Sequence, residues 1–158
     1  MGVDIDRRSG GVRGVDVVGR TIRRADLNGA NIESLVSTGL SVPGGIALDL
    51  TNGKMYWTDL GTNKIQRANL NGTSVEDIVS TGLIDPRDIV IDAAGGKIYW
   101  TDMGGAKIQR ANLDGTTVQD VLTTGLNSPT GLALDAAAGK LYVADSAAGR
   151  ILRVDTVG

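Results

Sequence analysis

Residues 58–83 read TDLGTNKIQRANLNGTSVEDIVSTGL, and residues 101–126 read TDMGGAKIQRANLDGTTVQDVLTTGL. The two segments have the same length and begin 43 residues apart. The same step separates the three prolines of the chain, which are Pro43, Pro86 and Pro129. Self-similarity at a fixed period of this size indicates a repeat architecture. We therefore divide the chain into four copies of one unit, at 1–43, 44–86, 87–129 and 130–158.

Each unit contains four short runs with the composition of β-strands. In the second copy these runs are GIALDL, KMYWTDL, KIQRANL and VEDIVS. The breaks between them contain Asn-Gly pairs or similar turn residues, which accept a positive φ. Four antiparallel strands in about 43 residues is the size of one propeller blade. We letter the strands a (inner) to d (outer) and predict an all-β propeller of four-stranded antiparallel blades.

Composition removes several classes of function. The 158 residues include 16 Lys+Arg and 18 Asp+Glu, with neither His nor Cys. Without them the chain has no Ser-His-Asp triad, no thiolate nucleophile and no imidazole or thiolate metal ligand. No run approaches the ~20 apolar residues of a membrane span, and no basic surface is interleaved with aromatic residues as single-stranded nucleic acid requires. We expect a soluble protein with no cofactor and with no nucleic-acid or membrane partner. Residues 1–11 lack the apolar core of a signal peptide, and the compartment is left unspecified.

Two segments carry a resemblance to a known family. KMYWTDLGTNKIQRANLNG (54–72) and KIYWTDMGGAKIQRANLDG (97–115) resemble the YWTD repeats of the low-density-lipoprotein-receptor class B family. The resemblance covers 44–158 closely and is weaker in the first copy, where RGVD (13–16) stands at the motif position. It implies a six-bladed propeller, an extracellular location and a non-catalytic protein-binding or scaffold module. Members of that family bind diverse partners through side chains that vary between blades.

The motif residues themselves are predicted to be structural. Alternation along strand b sends Tyr56 and Thr58 to one face of the sheet, and Trp57 and Asp59 to the other. Neighbouring blades cover both faces, so the aromatic rings fill space while Thr and Asp satisfy buried backbone donors. The repeated arginines of strand c, such as Arg67, can pair with these aspartates. We assign this structural role to Tyr56, Trp57, Thr58, Asp59, Tyr99, Trp100, Thr101, Asp102, Tyr142 and Asp145.

The ends of the chain predict an assembly of two copies. The fourth unit stops at Gly158, which aligns with a c–d turn, so it lacks strand d, whereas the first unit has a good strand d at 32–37. We predict that residues 1–20 form a basic, extended or disordered arm and that 30–38 completes the last blade of a second chain. Three blades from each chain, at 44–86, 87–129 and 130–158, would close a six-bladed ring. An eight-bladed ring from all four copies is the alternative, as is a fragment of a longer or engineered propeller.

Residues that differ between copies on one face are the candidates for binding. The b–c and d–a loops share that face, and the charged outliers there are Asp85, Arg87 and Asp88, with Asn63 and Met103 in the b–c loops. A metal-dependent propeller hydrolase, lactonase or lyase is the alternative function. Similar folds of that class use Glu, Asn, Asp or His converging on the axis. Here the only glutamates, Glu33 and Glu76, belong to strand d at the outer rim, so we predict a protein that is not an enzyme and holds no metal.

Overall fold

The structure is a computed structural model that describes residues 2–156, and it consists of four antiparallel sheets in chain order. Sheets 1, 2 and 3 have four strands each and sheet 4 has three, with neighbouring strands paired in sequence order. The strands are β1 (Val3–Asp6), β2 (Gly11–Asp16), β3 (Thr21–Asp26), β4 (Glu33–Val36), β5 (Pro43–Asp49), β6 (Lys54–Asp59), β7 (Lys64–Asn69), β8 (Glu76–Val79), β9 (Pro86–Asp92), β10 (Lys97–Asp102), β11 (Lys107–Asn112), β12 (Gln119–Leu122), β13 (Pro129–Asp135), β14 (Lys140–Asp145) and β15 (Arg150–Asp155). The predicted four-stranded antiparallel blades are thus present, one in each of the first three units.

The hydrophobic core lies between successive sheets rather than inside any one of them. Trp57 of sheet 2 packs with Ile22 and Val36 of sheet 1, and Trp100 of sheet 3 packs with Tyr56 of sheet 2. The third boundary, between sheets 3 and 4, has aliphatic residues of β14 in place of the tryptophan. Motif Trp therefore faces the preceding sheet and motif Tyr faces the following one, as alternation along strand b requires.

The inner strands β1, β5, β9 and β13 lie side by side around an axial channel. β5, β9 and β13 each follow a d–a loop, and each begins with a proline. A proline at the start of a strand costs the sheet no hydrogen bond. The d–a loops consequently end at one mouth of the channel, next to the b–c turns.

The first unit differs from the arm predicted for residues 1–20. Residues 3–16 form β1 and β2, which pair in register as the first two strands of sheet 1. Arg13 occupies the position of Tyr56, and its guanidinium binds the buried carboxylate of Asp6 at 2.6 Å. Its Nε also donates to the carbonyl oxygen of Leu70 in sheet 2, at 3.2 Å. A polar pair that is itself hydrogen-bonded thus replaces the missing aromatic residue, which is why the weak motif still forms a blade.

The predicted exchange between chains depends on two strands, β4 and β15, which differ in how they are paired. β4 falls within the strand predicted at 32–37, but it pairs with β3 of its own sheet. β15 has a partner only on its inner side among the described residues. Gly158, which the sequence places at a c–d turn, lies outside the described residues. Exchange would therefore require β4 to leave β3.

Candidate binding site at the mouth of the axial channel

The aspartate of the YWTD motif holds the loops of this face in place. Asp59 is buried and accepts hydrogen bonds from the backbone N–H groups of Ser41 at 2.8 Å and Val42 at 3.0 Å, both in the d–a loop. It also accepts from the N–H of Gly61 in the b–c turn, at 3.0 Å. The Asp59 carboxylate therefore links the d–a loop to the b–c turn and fixes the positions of both.

The equivalent aspartates of sheets 3 and 4 make the same kind of contact. Asp102 accepts from the N–H of Asp85 at 2.9 Å, and Asp145 accepts from the N–H of Ser128 at 2.7 Å. The hydrogen bond from Ser128, reinforced by one from Asn127, holds the pKa of Asp145 below its usual value in spite of the cost of burial. These aspartates are acceptors for loop amides.

The motif threonine joins neighbouring inner strands. Thr58 Oγ1 accepts from the N–H of Gly45 in β5 and donates to the carbonyl oxygen of Arg87 in β9, both at 2.9 Å. Thr101 Oγ1 accepts from the N–H of Asp88 at 3.1 Å and donates to the carbonyl oxygen of Thr130 at 3.4 Å. These hydroxyl groups therefore link neighbouring inner strands along the wall of the channel by hydrogen bonds.

The predicted pairing between strand-c arginines and motif aspartates is wrong. Register places Arg67 opposite Tyr56, three residues along the strand from Asp59. Its guanidinium binds Glu76 of β8 at 2.9 Å and donates to the carbonyl oxygen of Leu113 in the next sheet, at 3.0 Å. The arginine belongs to the outer half of the blade and the aspartate to the loop face, so they do not meet.

A cavity of about 440 Å³ opens where the d–a loops meet the channel. Arg87 and Asp88 line it, opposite the glycines at 44, 45 and 131 and beside Thr130. Asp85 does not line the cavity, but its carboxylate accepts from Arg87 Nη2 at 2.7 Å. Three of the five residues singled out from the sequence are thus brought together at this mouth.

The other two candidates, Asn63 and Met103, lie outside the lining of the cavity. With its amide oriented to satisfy both contacts, Asn63 Nδ2 donates to the carbonyl oxygens of Leu60 at 3.2 Å and Ile84 at 2.8 Å. The backbone N–H of Met103 donates to the carbonyl oxygen of Asp85 at 2.9 Å. Both residues therefore join a b–c turn to a d–a loop, Asn63 through its side chain and Met103 through its backbone.

Asp88 is the one side chain at its level of the inner strands, because Gly2, Gly45 and Gly131 occupy the same repeat position. Its Oδ2 accepts from the N–H of Leu132 in β13 at 2.8 Å, and its Oδ1 accepts from the N–H of Ile89 at 3.0 Å. Burial raises the pKa of Asp88 above its usual value, and these two bonds offset part of that effect. The carboxylate therefore bridges two inner strands while lining the cavity.

Sequence reasoning missed a second acid in the channel wall, Asp4 of β1. It lies with Asp88 along a deeper cavity of about 400 Å³, and its Oδ2 accepts from the N–H of Leu48 in β5 at 2.8 Å. Repeat alignment places Asp4 two residues further along strand a than Asp88, hence on the same face. Alternation along strand a could have identified Asp4, but only if the first unit had been recognised as a blade.

Arg87 supplies the donors of the site. Its guanidinium is partly exposed and donates from Nη2 to Asp85, whereas its Nε is buried and has no hydrogen-bond partner among residues 2–156. A partly exposed guanidinium beside a carboxylate acceptor, in a cavity walled by glycine backbone, suits a polar extended ligand that brings both an acceptor and a donor.

Two further observations concern metal binding and membrane spanning. Within residues 2–156 no three acidic side chains lie close enough together to hold a metal ion. In the same part of the chain, no helix has the length and apolar character needed to cross a bilayer.

Comparison with known proteins agrees with this architecture. The family model described as low-density lipoprotein receptor repeat class B matches residues 53–93 and 96–136, and the NHL repeat model matches 126–153. A comparison with curated proteins finds no match.

Among solved structures, a chain from the crystal structure of a nidogen/laminin complex is similar, with 32% sequence identity and a TM-score of 0.93. The match covers 98% of this chain and 59% of the other, so the chain spans about three fifths of that relative. The repeat models, the four sheets and this superposition lead to one conclusion: the chain belongs to the low-density lipoprotein receptor class B family of YWTD β-propellers.

Proposed function

We propose that the chain is a non-catalytic protein-binding module that receives a segment of its partner at the mouth of the axial channel. The observation that carries this proposal is that Arg87 and Asp88 both line a cavity of about 440 Å³ on the loop face. Motif aspartates fix the surrounding loops, so the site is formed before a ligand arrives.

The form of the site favours a protein ligand. The loops around the mouth are short, so the face is broad and open and suits a large partner with a protruding segment. The similar nidogen chain was solved in a complex named for laminin, which is a protein partner of that relative. For this chain we expect a partner segment with an acidic residue, because the partly exposed guanidinium of Arg87 matches a carboxylate.

Selection from a random peptide library on the immobilised chain tests this proposal. Selected peptides should be enriched in Asp or Glu, and Arg87→Ala should weaken their binding by about tenfold or more. Arg24→Ala is the matched control, since Arg24 also forms a surface ion pair, with Glu33 on the outer rim of sheet 1. Equal affinities for wild type and Arg87→Ala, or an equal loss in both variants, would contradict the proposed site.

The alternative of a metal-dependent hydrolase, lactonase or lyase needs an ion in the channel. The acids that reach it, Asp4 and Asp88, already accept backbone hydrogen bonds from Leu48 and Leu132. Calorimetry with Ca²⁺ separates the two functions. One ion per chain, lost in Asp88→Asn, would support the enzyme, and we expect no stoichiometric binding.

Assembly as a homodimer by strand exchange stays a prediction. Superposition on the nidogen chain with a TM-score of 0.93 supports one common spacing for all four sheets. Two chains would share a six-bladed ring only if each first sheet came apart, because β4 is paired with β3. Light scattering tests the idea: a mass of two chains supports it, and a mass of one chain contradicts it.

A further inference from the structure

The c–d turns of sheets 1, 2 and 3 share one backbone structure. Their central residues are Asn28-Gly29-Ala30, Asn71-Gly72-Thr73 and Asp114-Gly115-Thr116. In each turn the glycine has a positive φ, and its N–H donates to the carbonyl oxygen three residues earlier at 2.9 Å. The side-chain oxygen of the first residue accepts from the N–H of the third, at 2.9, 3.1 and 3.0 Å respectively. The turn therefore needs an oxygen acceptor at its first position and glycine at its second.

The turns of sheets 1 and 3 show which atoms this geometry does not require. Asp114 offers a carboxylate in place of the Asn71 amide, so the turn forms without an amide nitrogen. Ala30 has no hydroxyl group, so the turn also forms without the side chain of Thr73. Among these three turns, only that of sheet 2 combines the amide nitrogen with the hydroxyl group.

The combination in sheet 2 is the acceptor pattern for N-linked glycosylation, Asn-X-Ser/Thr with X other than proline. None of the other seven asparagines of the chain has Ser or Thr at the second position after it. Asn71 and Thr73 are both exposed, as an acceptor turn must be. The Thr73 hydroxyl donates to Asn71 Oδ1 at 2.7 Å, so the two side chains of the pattern lie together. The turn uses the Asn71 oxygen as an acceptor, which leaves the amide nitrogen outside its hydrogen bonds.

The surroundings of the turn leave room for a bulky group on Asn71. Gly72 is the packed residue of the turn, since a Cβ there would collide with the carbonyl oxygen of Leu35 in sheet 1. The turn follows β7, whose other end adjoins the b–c turn of the loop face. The length of that strand separates the two faces by roughly 17 Å. A glycan on Asn71 would therefore lie on the face opposite to the cavity around Arg87.

We infer that Asn71 is the acceptor of an N-linked glycan. The donor is an oligosaccharide carried on a lipid diphosphate, and the extracellular location implied by the family would bring the chain to it. Asn71 Nδ2 forms a bond to the anomeric carbon of the sugar and loses one proton to the transferring enzyme. The bond from that carbon to the diphosphate oxygen breaks, and the lipid diphosphate leaves with the electron pair. The glycan would keep the face of the c–d turns in solvent and leave the loop face open to a partner.

Expression of the full chain behind a cleavable leader in a eukaryotic secretory host tests the inference. Mass spectrometry of the intact product should show one oligosaccharide per chain, and a peptide N-glycosidase should remove it. Release in ¹⁸O-labelled water should mark residue 71, because hydrolysis converts the asparagine to aspartate with an oxygen atom from the solvent. An asparagine that lost its amide before the release would carry no label.

Two substitutions that the turn tolerates should each abolish the glycan. Asn71→Asp removes the amide nitrogen, and Thr73→Ala removes the hydroxyl group. Each copies the residue that an equivalent turn already uses, Asp114 or Ala30, so the fold should survive, which circular dichroism can verify. Thr73→Ser keeps the hydroxyl group and should still be modified.

The other two turns provide matched gains. Asp114→Asn in sheet 3 and Ala30→Thr in sheet 1 each complete the sequence Asn-Gly-Thr at a turn of the same geometry. Each variant should therefore carry a second oligosaccharide, which doubles the added mass.

Two results would overturn the inference. The first is a chain that has lost its leader but carries no sugar at residue 71, whether or not the gain variants are modified. Chains retained in the cell count equally, because removal of the leader shows that they reached the compartment of the transferase. The second is a glycan that persists in Thr73→Ala, since the hydroxyl group would then have no part in recognition.

Discussion

Arg13 Nη1 lies 2.6 Å from Asp6 Oδ2, and both side chains are at least 95% buried. Arg13 also bonds the carbonyl oxygen of Leu70, the same type of contact that Arg67 makes to Leu113 one sheet further on. In sheet 1 a strand-b residue thus takes over the link to the next sheet that a strand-c residue provides in sheet 2.

Arg13→Ala should lower the free energy of unfolding by about 3–5 kcal/mol, because it leaves the Asp6 charge buried without its partner. Arg13→Tyr, which restores the residue of sheet 2, should cost less. Urea unfolding measures both changes. Equal stability of wild type and Arg13→Ala would show that the pair does not support sheet 1.

Acid should weaken the fold through Asp6. Burial alone would raise the pKa of this carboxyl, but hydrogen bonds from Ser9, Arg13 and Arg8 outweigh it and hold the pKa well below its usual range. A depressed pKa stabilises the fold above the unfolded-state value of about 4, and the contribution is lost as the pH falls below that value. Unfolding midpoints between pH 6 and 2 should fall less steeply in Asp6→Asn than in wild type.

Asp88 should have the opposite effect to Asp6 on the pH dependence of stability. Burial raises its pKa, so its contribution to stability is present below the unfolded-state value and is lost as the pH rises through the folded-state value. A carboxyl ¹³C titration should give a midpoint above the usual aspartate value. Asp114 provides the contrast, because hydrogen bonds from Thr116 lower its pKa. A midpoint for Asp88 below that of Asp114 would contradict the described burial.

Thr58→Val should destabilise the chain by about 1–3 kcal/mol, since it removes the acceptor for the Gly45 N–H and the donor to the Arg87 carbonyl. Thr62→Val is the control, at an exposed turn position in the same sheet, and should change stability by no more than about 0.5 kcal/mol. Thermal unfolding of the two variants side by side decides the matter.

Gly45→Ala should be costly, because the added Cβ would lie 2.6 Å from Asp88 Oδ1 and 2.8 Å from Asp88 Cα. We expect a loss of about 1–3 kcal/mol, as for other overpacked sites. Gly131→Ala is the matched control at the same repeat position, where the nearest atom is the Ala144 Cβ at 3.4 Å. Similar denaturation midpoints for the two variants would contradict the close approach at Gly45.

The 43-residue period was enough to predict the blades, because strand and turn chemistry recur in every copy. Burial of Trp57 and Trp100 between sheets also followed from alternation along strand b. Contacts that depend on the register between strands were harder to predict. The sequence could not show that Arg67 lies opposite Tyr56 and away from Asp59, since pairing is set by turn geometry.

The candidate site was predicted only in part. Charged outliers in the d–a loops identified Arg87 and Asp88, but the sequence placed them on a rim rather than on the wall of a channel. Asp4 was hidden because the first unit, judged by its motif, was not read as a blade. A buried ion pair in place of an aromatic side chain leaves no signal in a pattern based on hydrophobic residues.

The replacement of tyrosine by an arginine–aspartate pair affects how many sheets a search by motif can count. The class B repeat model matches residues 53–93 and 96–136, yet sheet 1 precedes these ranges and both β14 and β15 follow them. A census of relatives based on the YWTD signature will thus undercount their sheets, and units whose consensus has drifted are best sought by their spacing.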